Sequence, residues 1–224
     1  MPRKTKRAIE SASSRARSPD ERAGGPAHAP SLRIIGGTHR GRKLEYDGDE
    51  RIRPMKDRVR EAVFNLLGPE VAGTLAVDLF AGTGALGLEA LSRGAARAVF
   101  FERHFPSADV IRRNARILGV ETQVEVVAGD TFIRFRRTVN LADPSHPEVA
   151  WVVFCSPPYE FYVSRREEML ALVASLMAAA PAGSLFAVEA DARFDFNLLP
   201  QAGAWDVRDY PPARVGIWPR APRA

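Results

Sequence analysis

From residue 74 onward, short apolar runs alternate with helical ones, and this alternation constrains the chain more than any other feature. The apolar runs are "TLAVDLF", "ARAVFFE", "QVEVVAGD", "VAWVVFCS" and "GSLFAVEA". Between them lie "GALGLEALSRG", "FPSADVIRRNARILG" and "SRREEMLALVASLMAAA", stopped by Gly94, Gly119 and Pro181. A short helix is expected at residues 131–139, before the loop "NLADPSHPE". Parallel strands need crossovers, and repeated β-α-β units place the crossing helices on both faces of one sheet. The tail "WDVRDYPPARVGIWP" reads as a closing antiparallel hairpin. The expected class is therefore α/β: a Rossmann-like, seven-stranded, mostly parallel sheet whose last strand is antiparallel.

Two stretches precede this core. "LRIIGGTHRGRKLEY" reads as a short hairpin with a basic turn. "DRVREAVFNLLG" reads as a helix, with Val59, Val63, Leu66 and Leu67 at helical spacing and Gly68-Pro69 as its stop. Pro54 and Asp57 stand near its start, where both residue types are favoured. Residues 1–30 hold almost no large apolar side chain and are expected to be a disordered basic tail. The division is then 1–30 tail, 31–72 hairpin and helix, and 73–224 main domain.

Charge is unevenly spread. Residues 1–60 carry 16 Lys+Arg against 8 Asp+Glu, and the rest carry 16 against 19. A basic first quarter on a mildly acidic body points to a polyanion contact through the N-terminal part. One cysteine, Cys155, excludes an intrachain disulfide and a multi-cysteine zinc site, and the four histidines lack metal-ligand spacing. No apolar run is long enough for a bilayer and no secretory leader is visible, so a cytoplasmic protein without membrane or metal is expected.

The stretch "VDLFAGTGALGLEAL" carries the first chemistry. Ligands of open α/β sheets bind outside the carboxyl ends of the strands. Asp78 stands near such an end, and Gly82 and Gly84 let the backbone approach a ligand closely. A phosphate-binding P-loop requires Lys-Ser/Thr after its last glycine, and Ala85-Leu86 stand there instead. Gly82, Gly84 and Gly87 do match the dinucleotide pattern G-x-G-x-x-G, so an NAD(P)-dependent oxidoreductase stays open. Glu102, ending the second strand, suits ribose hydroxyls in either case. Asp78 tips the balance, because its charge repels a pyrophosphate and suits the ammonium and sulfonium of S-adenosylmethionine. Asp130 ends the third strand, either to accept from an adenine amino group or to cap the next helix.

The segments "RIIGGTHRGRKL", "RPMKDRVREAVFNLL", "DLFAGTGALGLEALSRGA" and "SPPY" together resemble the RsmD family. These are class I S-adenosylmethionine-dependent methyltransferases that modify the N2 amino group of a guanine in 16S ribosomal RNA. The resemblance spans residues 33 to about 190. It implies that Asp78, Gly82 and Gly84 line the methionine end of the cofactor. Glu102 would take the ribose, and Asp130 with Thr131 would sit near the adenine. Arg53, Asp57, Arg58 and Arg60 would lie in a segment facing RNA, while Arg40, Arg42 and Lys43 would meet phosphates. The implied partner is ribosomal RNA or the small subunit, and the expected state is a monomer.

The fourth strand runs into Ser156-Pro157-Pro158-Tyr159, the expected catalytic turn. Methyl transfer is an in-line displacement, with the attacking nitrogen about 3–3.5 Å from the methyl carbon. Acceptors for both amino hydrogens favour a pyramidal nitrogen and stabilise its developing charge. Two prolines stiffen the turn, and Tyr159 offers a face for an unstacked base. The family pattern is Asp/Asn-Pro-Pro-Tyr/Phe, and this chain has serine. Three readings follow: Ser156 works with the Pro157 carbonyl, the enzyme acts on another amino group, or the chain is an inactive RNA-binding or ribosome-assembly factor. Cys155 is read as a buried apolar residue and not as a nucleophile.

Overall fold

The computed structural model describes residues 32–46, 55–137 and 148–219. The expected tail, Arg53, Pro54 and most of the loop after residue 137 lie outside the described residues.

The elements follow the expected alternation. They are α1 (Asp57–Leu67), β1 (Leu75–Asp78), α2 (Ala85–Ser92), β2 (Arg97–Glu102), α3 (Phe105–Leu118), β3 (Val124–Ala128) and α4 (Thr131–Arg137). Then come β4 (Trp151–Cys155), α5 (Phe161–Ser164), α6 (Arg166–Ala179), β5 (Leu185–Asp191), β6 (Asp206–Tyr210) and β7 (Ala213–Pro219). They form one seven-stranded sheet in the order β3-β2-β1-β4-β5-β7-β6. Strands β1 to β5 are parallel, and β7 runs antiparallel between β5 and β6. The class read from the sequence is the class observed. The short α5 departs from the expected single helix that begins near residue 164.

Strand alternation splits the core in two. Val152 and Phe154 of β4 face α1, α2 and α3, while Trp151, Val153 and Cys155 face α4, α5 and α6. Gly87 is fixed by this packing: a Cβ there would lie 2.4 Å from the Phe100 ring, so α2 lies against β2 only with glycine.

The N-terminal stretch is held by few sheet bonds. A bridge joins Arg33 to Lys43, supported by Ile34 N–H to Arg42 O (2.9 Å) and Leu44 N–H to Leu32 O (2.9 Å). The main anchor is Glu89, a fully buried carboxylate on α2. It accepts the amides of Ile35 and Gly36, each at 2.7 Å, and the Arg93 guanidinium at 2.9 Å. Gly37 lies so close to the Ser92 carbonyl that a Cβ would fall 1.8 Å from its oxygen, and its φ of +74° also requires glycine.

Arg60 corrects one expectation. Its side chain is fully buried, with its Nε 3.9 Å from Glu89 Oε2. It donates to Arg33 O (2.5 Å), Asp57 Oδ1 (3.1 Å) and Met55 O (3.4 Å). An arginine spent on these internal acceptors ties α1 to the hairpin and does not face RNA. Burial pulls its pKa below the usual value, opposed by Glu89 and Asp57.

Removing one partner of a buried ion cluster costs about 3–5 kcal/mol. Glu89→Ala is therefore expected to lower stability by about that amount in urea unfolding, with Glu89→Gln losing less. An unchanged midpoint for Glu89→Ala would contradict this anchoring.

Candidate active site

The expected site residues gather at the carboxyl edge of the parallel strands. Asp78 ends β1 and is buried. Its Oδ2 accepts from Gly87 N–H at 3.2 Å, and its Oδ1 has no hydrogen-bond partner. Burial, and then the charge of Glu102, push the Asp78 carboxyl up to about 7. A buried acceptor left unpaired is costly, and a cation is the partner that relieves it most. Gly82 and Gly84 take positive φ values of 52° and 78°, which carry the loop over this carboxylate. A Cβ on Gly84 would come 3.1 Å from Ile111.

Glu102 ends β2 beside the loop. It accepts from Gly82 N–H and His104 N–H, both at 2.7 Å. Burial raises its pKa, and these two amides oppose the rise. Both oxygens thus fix the glycine loop while keeping further lone pairs. Two acids under a glycine loop, one with an orphaned oxygen, fit a cationic cofactor such as S-adenosylmethionine and fit a pyrophosphate poorly.

Asp130 and Thr131 have internal partners. Asp130 Oδ1 accepts from Phe132 N–H (2.9 Å), capping α4, and Oδ2 pairs with Arg165 (3.1 Å). Thr131 Oγ1 donates to Leu79 O at 2.6 Å. The capping alternative for Asp130 is present in the geometry.

The fourth strand delivers the Ser156 turn. Ser156 is half-buried, Pro157 buried, Pro158 exposed and Tyr159 half-buried. Both hydroxyls of the turn find the same acceptor, Glu189 of β5. Ser156 Oγ donates to Glu189 Oε2, and Tyr159 Oη donates to Glu189 Oε1 at 2.8 Å. Tyr162 Oη donates to the Glu189 carbonyl at 2.9 Å. Burial and the Glu189 charge push the Tyr159 phenol above its usual range, so it stays a donor. Ser156 and Glu189 also line a small cavity with Met55, Val63 and Val215. Cys155 is buried, and burial pushes its thiol up to about 12, which leaves it protonated and unreactive.

Glu189 escaped the sequence reading, although its signal is that of Asp78 and Glu102: an acid near the carboxyl end of a buried strand. A second feature was also missed. Phe80, Phe132 and Phe161 form a ring cluster with centroids 5.8–6.1 Å apart, and the Arg165 guanidinium lies 3.9 Å from the Phe132 centroid. This cation–π contact holds the junction of α5 and α6 against α4. Among the RNA-facing candidates, Arg40, Arg42, Lys43 and Arg58 are exposed, with Arg42 also donating to Ile117 O. Among the described residues there is no cluster of metal-ligating side chains, and no helix is long and apolar enough to cross a membrane.

Comparison with known proteins identifies the family. Residues 32–207 match the family described as "Conserved hypothetical protein 95". The chain is 36% identical over 135 residues to ribosomal RNA small subunit methyltransferase D of Haemophilus influenzae, covering 60% of this chain and 67% of that one. It superimposes on the solved Escherichia coli protein yhhF with a TM-score of 0.65 and 30% identity, covering 86% of this chain and 99% of that one. At fold level it resembles the Thermus thermophilus 16S rRNA methyltransferase RsmC, solved in complex with AdoMet and guanosine (TM-score 0.62, 21% identity, 86% and 50% covered). The chain belongs to the RsmD family of methyltransferases, and this removes the oxidoreductase alternative.

Asp78 yields a pH prediction. Its folded carboxyl holds a proton more tightly than the unfolded one, so this group's contribution to stability falls as pH rises from about 4 to about 7. Asp78→Asn is expected to raise Tm at pH 8, by about 2–4 °C per kcal/mol gained. Calorimetric affinity for S-adenosylmethionine should rise with pH toward about 7 in the wild type, as the carboxyl ionises. Asp78→Asn should bind weakly with a flat profile; equal affinity in both proteins would refute the assignment.

Proposed function

We propose that this member of the RsmD family transfers a methyl group from S-adenosylmethionine to the N2 amino group of a guanine in small-subunit 16S ribosomal RNA. One observation carries the reading: Asp78 of β1 lies directly opposite Phe154 of β4. Neighbouring strands are about 4.8 Å apart. The cation-seeking carboxylate and the Ser156 turn are therefore adjacent, and a cofactor over β1 points toward a base held over β4.

The residues divide the work. S-adenosylmethionine supplies an electrophilic methyl on a sulfonium. Asp78 neutralises the cationic end of the cofactor, and Gly82 and Gly84 allow its close approach. Glu102 accepts from ribose hydroxyls, and the Asp130–Thr131 corner borders the adenine. Ser156 Oγ and the Pro157 carbonyl accept the two amino hydrogens of the target base, and Tyr159 stacks on it. Pro158 holds the turn rigid, so little reorganisation is needed during transfer. Arg40, Arg42, Lys43 and Arg58 meet the RNA backbone, joined by Arg53 from the neighbouring segment. A ribosomal substrate implies a cytoplasmic enzyme.

The test is transfer of labelled methyl from S-adenosylmethionine to small subunits lacking the mark, with the product nucleoside identified after digestion. N2-methylguanosine is the expected product; methylation of another nucleoside would refute the substrate, and no transfer at all would refute the enzyme. Replacing Arg40, Arg42 and Lys43 by Ala should weaken RNA binding and reduce the slope of log K against log salt by about one for each phosphate no longer neutralised. An unchanged slope would remove the hairpin from the RNA interface.

A further inference from the structure

The Ser156 turn has a hydroxyl where the family pattern has an Asp or Asn side chain, and the adjacent strand supplies a carboxylate. Glu189 stands on β5 one residue beyond Val188, the register partner of Cys155. Its carboxylate is buried, receives the Ser156 hydroxyl on one oxygen and receives the Tyr159 hydroxyl on the other. The Tyr162 hydroxyl fixes its backbone carbonyl. An isolated buried carboxylate is expensive, and two hydroxyl donors from the catalytic turn offset that cost. On its own face of β5 the surroundings are apolar: Ala187 and the β7 register partner Val215 belong to the core.

We infer that Ser156 and Glu189 act as a pair, with Glu189 as the positioning residue that orients the serine and receives its proton. This inference rests on the proposed methyl transfer. With its hydrogen committed to Glu189, Ser156 Oγ turns its lone pairs toward the guanine amino group. The nitrogen lone pair forms the new N–C bond as the S–C bond breaks and its electrons return to sulfur. The nitrogen is then positively charged. It releases one proton to Ser156 Oγ, as the original Ser156 proton passes to Glu189. Glu189 later yields that proton to water. The acceptor that the Asp/Asn of the family pattern would place in the turn is here a hydroxyl, backed by a carboxylate one strand away.

The groups facing Glu189 are Ser156 from the end of β4 and Tyr159 and Tyr162 from the turn and α5. Met55 and Val63 on the α1 side and Val215 of β7 are apolar. Removing the carboxylate therefore leaves no second acid hydrogen-bonded to Ser156.

The experiment compares wild type, Glu189→Gln, Ser156→Asp and the double variant on small subunits. Positioned proton transfer contributes about 10²–10⁴-fold to rate. Glu189→Gln should lower kcat at least about 10²-fold, with KM little changed. Its calorimetric affinity for S-adenosylhomocysteine and its Tm should stay near wild type. Placing the acid directly in the turn should restore at least tenfold of the loss in the double variant. Ser156→Asp alone should do worse than the double variant, because two carboxylates then share one pocket. A wild-type kcat for Glu189→Gln would overturn the pairing while leaving the methyltransferase reading intact. Failure of the double variant to recover would also overturn it. Absence of transfer by the wild type would overturn both.

Discussion

The buried carboxylate of Glu89 is the contact on which the rest of the molecule depends. It sits on α2, the helix that the glycine loop feeds. Its oxygens take the backbone of Ile35 and Gly36 and the guanidinium of Arg93, with Arg60 of α1 alongside. One charge thus fixes the hairpin and α1 relative to the cofactor loop. This matters at the site because Met55 and Val63, from the α1 side, close the cavity over Ser156 and Glu189. In a buried setting such a charge is tolerated only with all its partners present, so the arrangement is close to all-or-none.

A second constraint is electrostatic. Asp78, Glu102, Asp130 and Glu189 all stand at the carboxyl edge of the sheet, and each has a different use. Asp78 keeps an orphaned oxygen, Glu102 holds the glycine loop, Asp130 caps a helix and anchors Arg165, and Glu189 gathers the hydroxyls of the turn. A cleft so lined attracts a cationic cofactor and repels a phosphate backbone. The exposed Arg40, Arg42, Lys43 and Arg58 lie in the basic N-terminal part of the chain, apart from these acids in the sequence. The same unevenness shows in the sequence, where residues 1–60 are basic and the rest is mildly acidic.

Much of this was legible. The period of the apolar runs identified the five parallel strands and most helices, because burial on both faces of a parallel sheet writes continuous apolar runs, and the tail read as the closing antiparallel hairpin. The acids Asp78 and Glu102 were legible because they interrupt such runs at their ends. Glu189 bears the same mark but follows no glycine loop or proline turn, so nothing in its own neighbourhood drew notice. Arg60 misled for the opposite reason. An arginine in a basic segment looks solvent-facing, and only packing reveals that helical spacing turns it inward toward Glu89. The helix α5 was hidden inside a longer helical pattern, since Arg165 breaks the two helices apart by backbone conformation (φ −131°) and not by composition.

The sequence by itself determined the sheet, the glycine loop and the proline turn after the fourth strand. Each of these is written in residues close together along the chain, through period, glycine spacing and proline stiffness. Tertiary structure decided what completes them. The pairing of β4 with β5 brings Glu189 to Ser156 across 33 positions, and the fold of the hairpin brings Ile35 to Glu89 across 54. Hydrogen bonds between residues so far apart depend on strand order and on which face each side chain occupies. Those are properties of the packed molecule, so the identity of the turn's carboxylate became visible only in the folded chain.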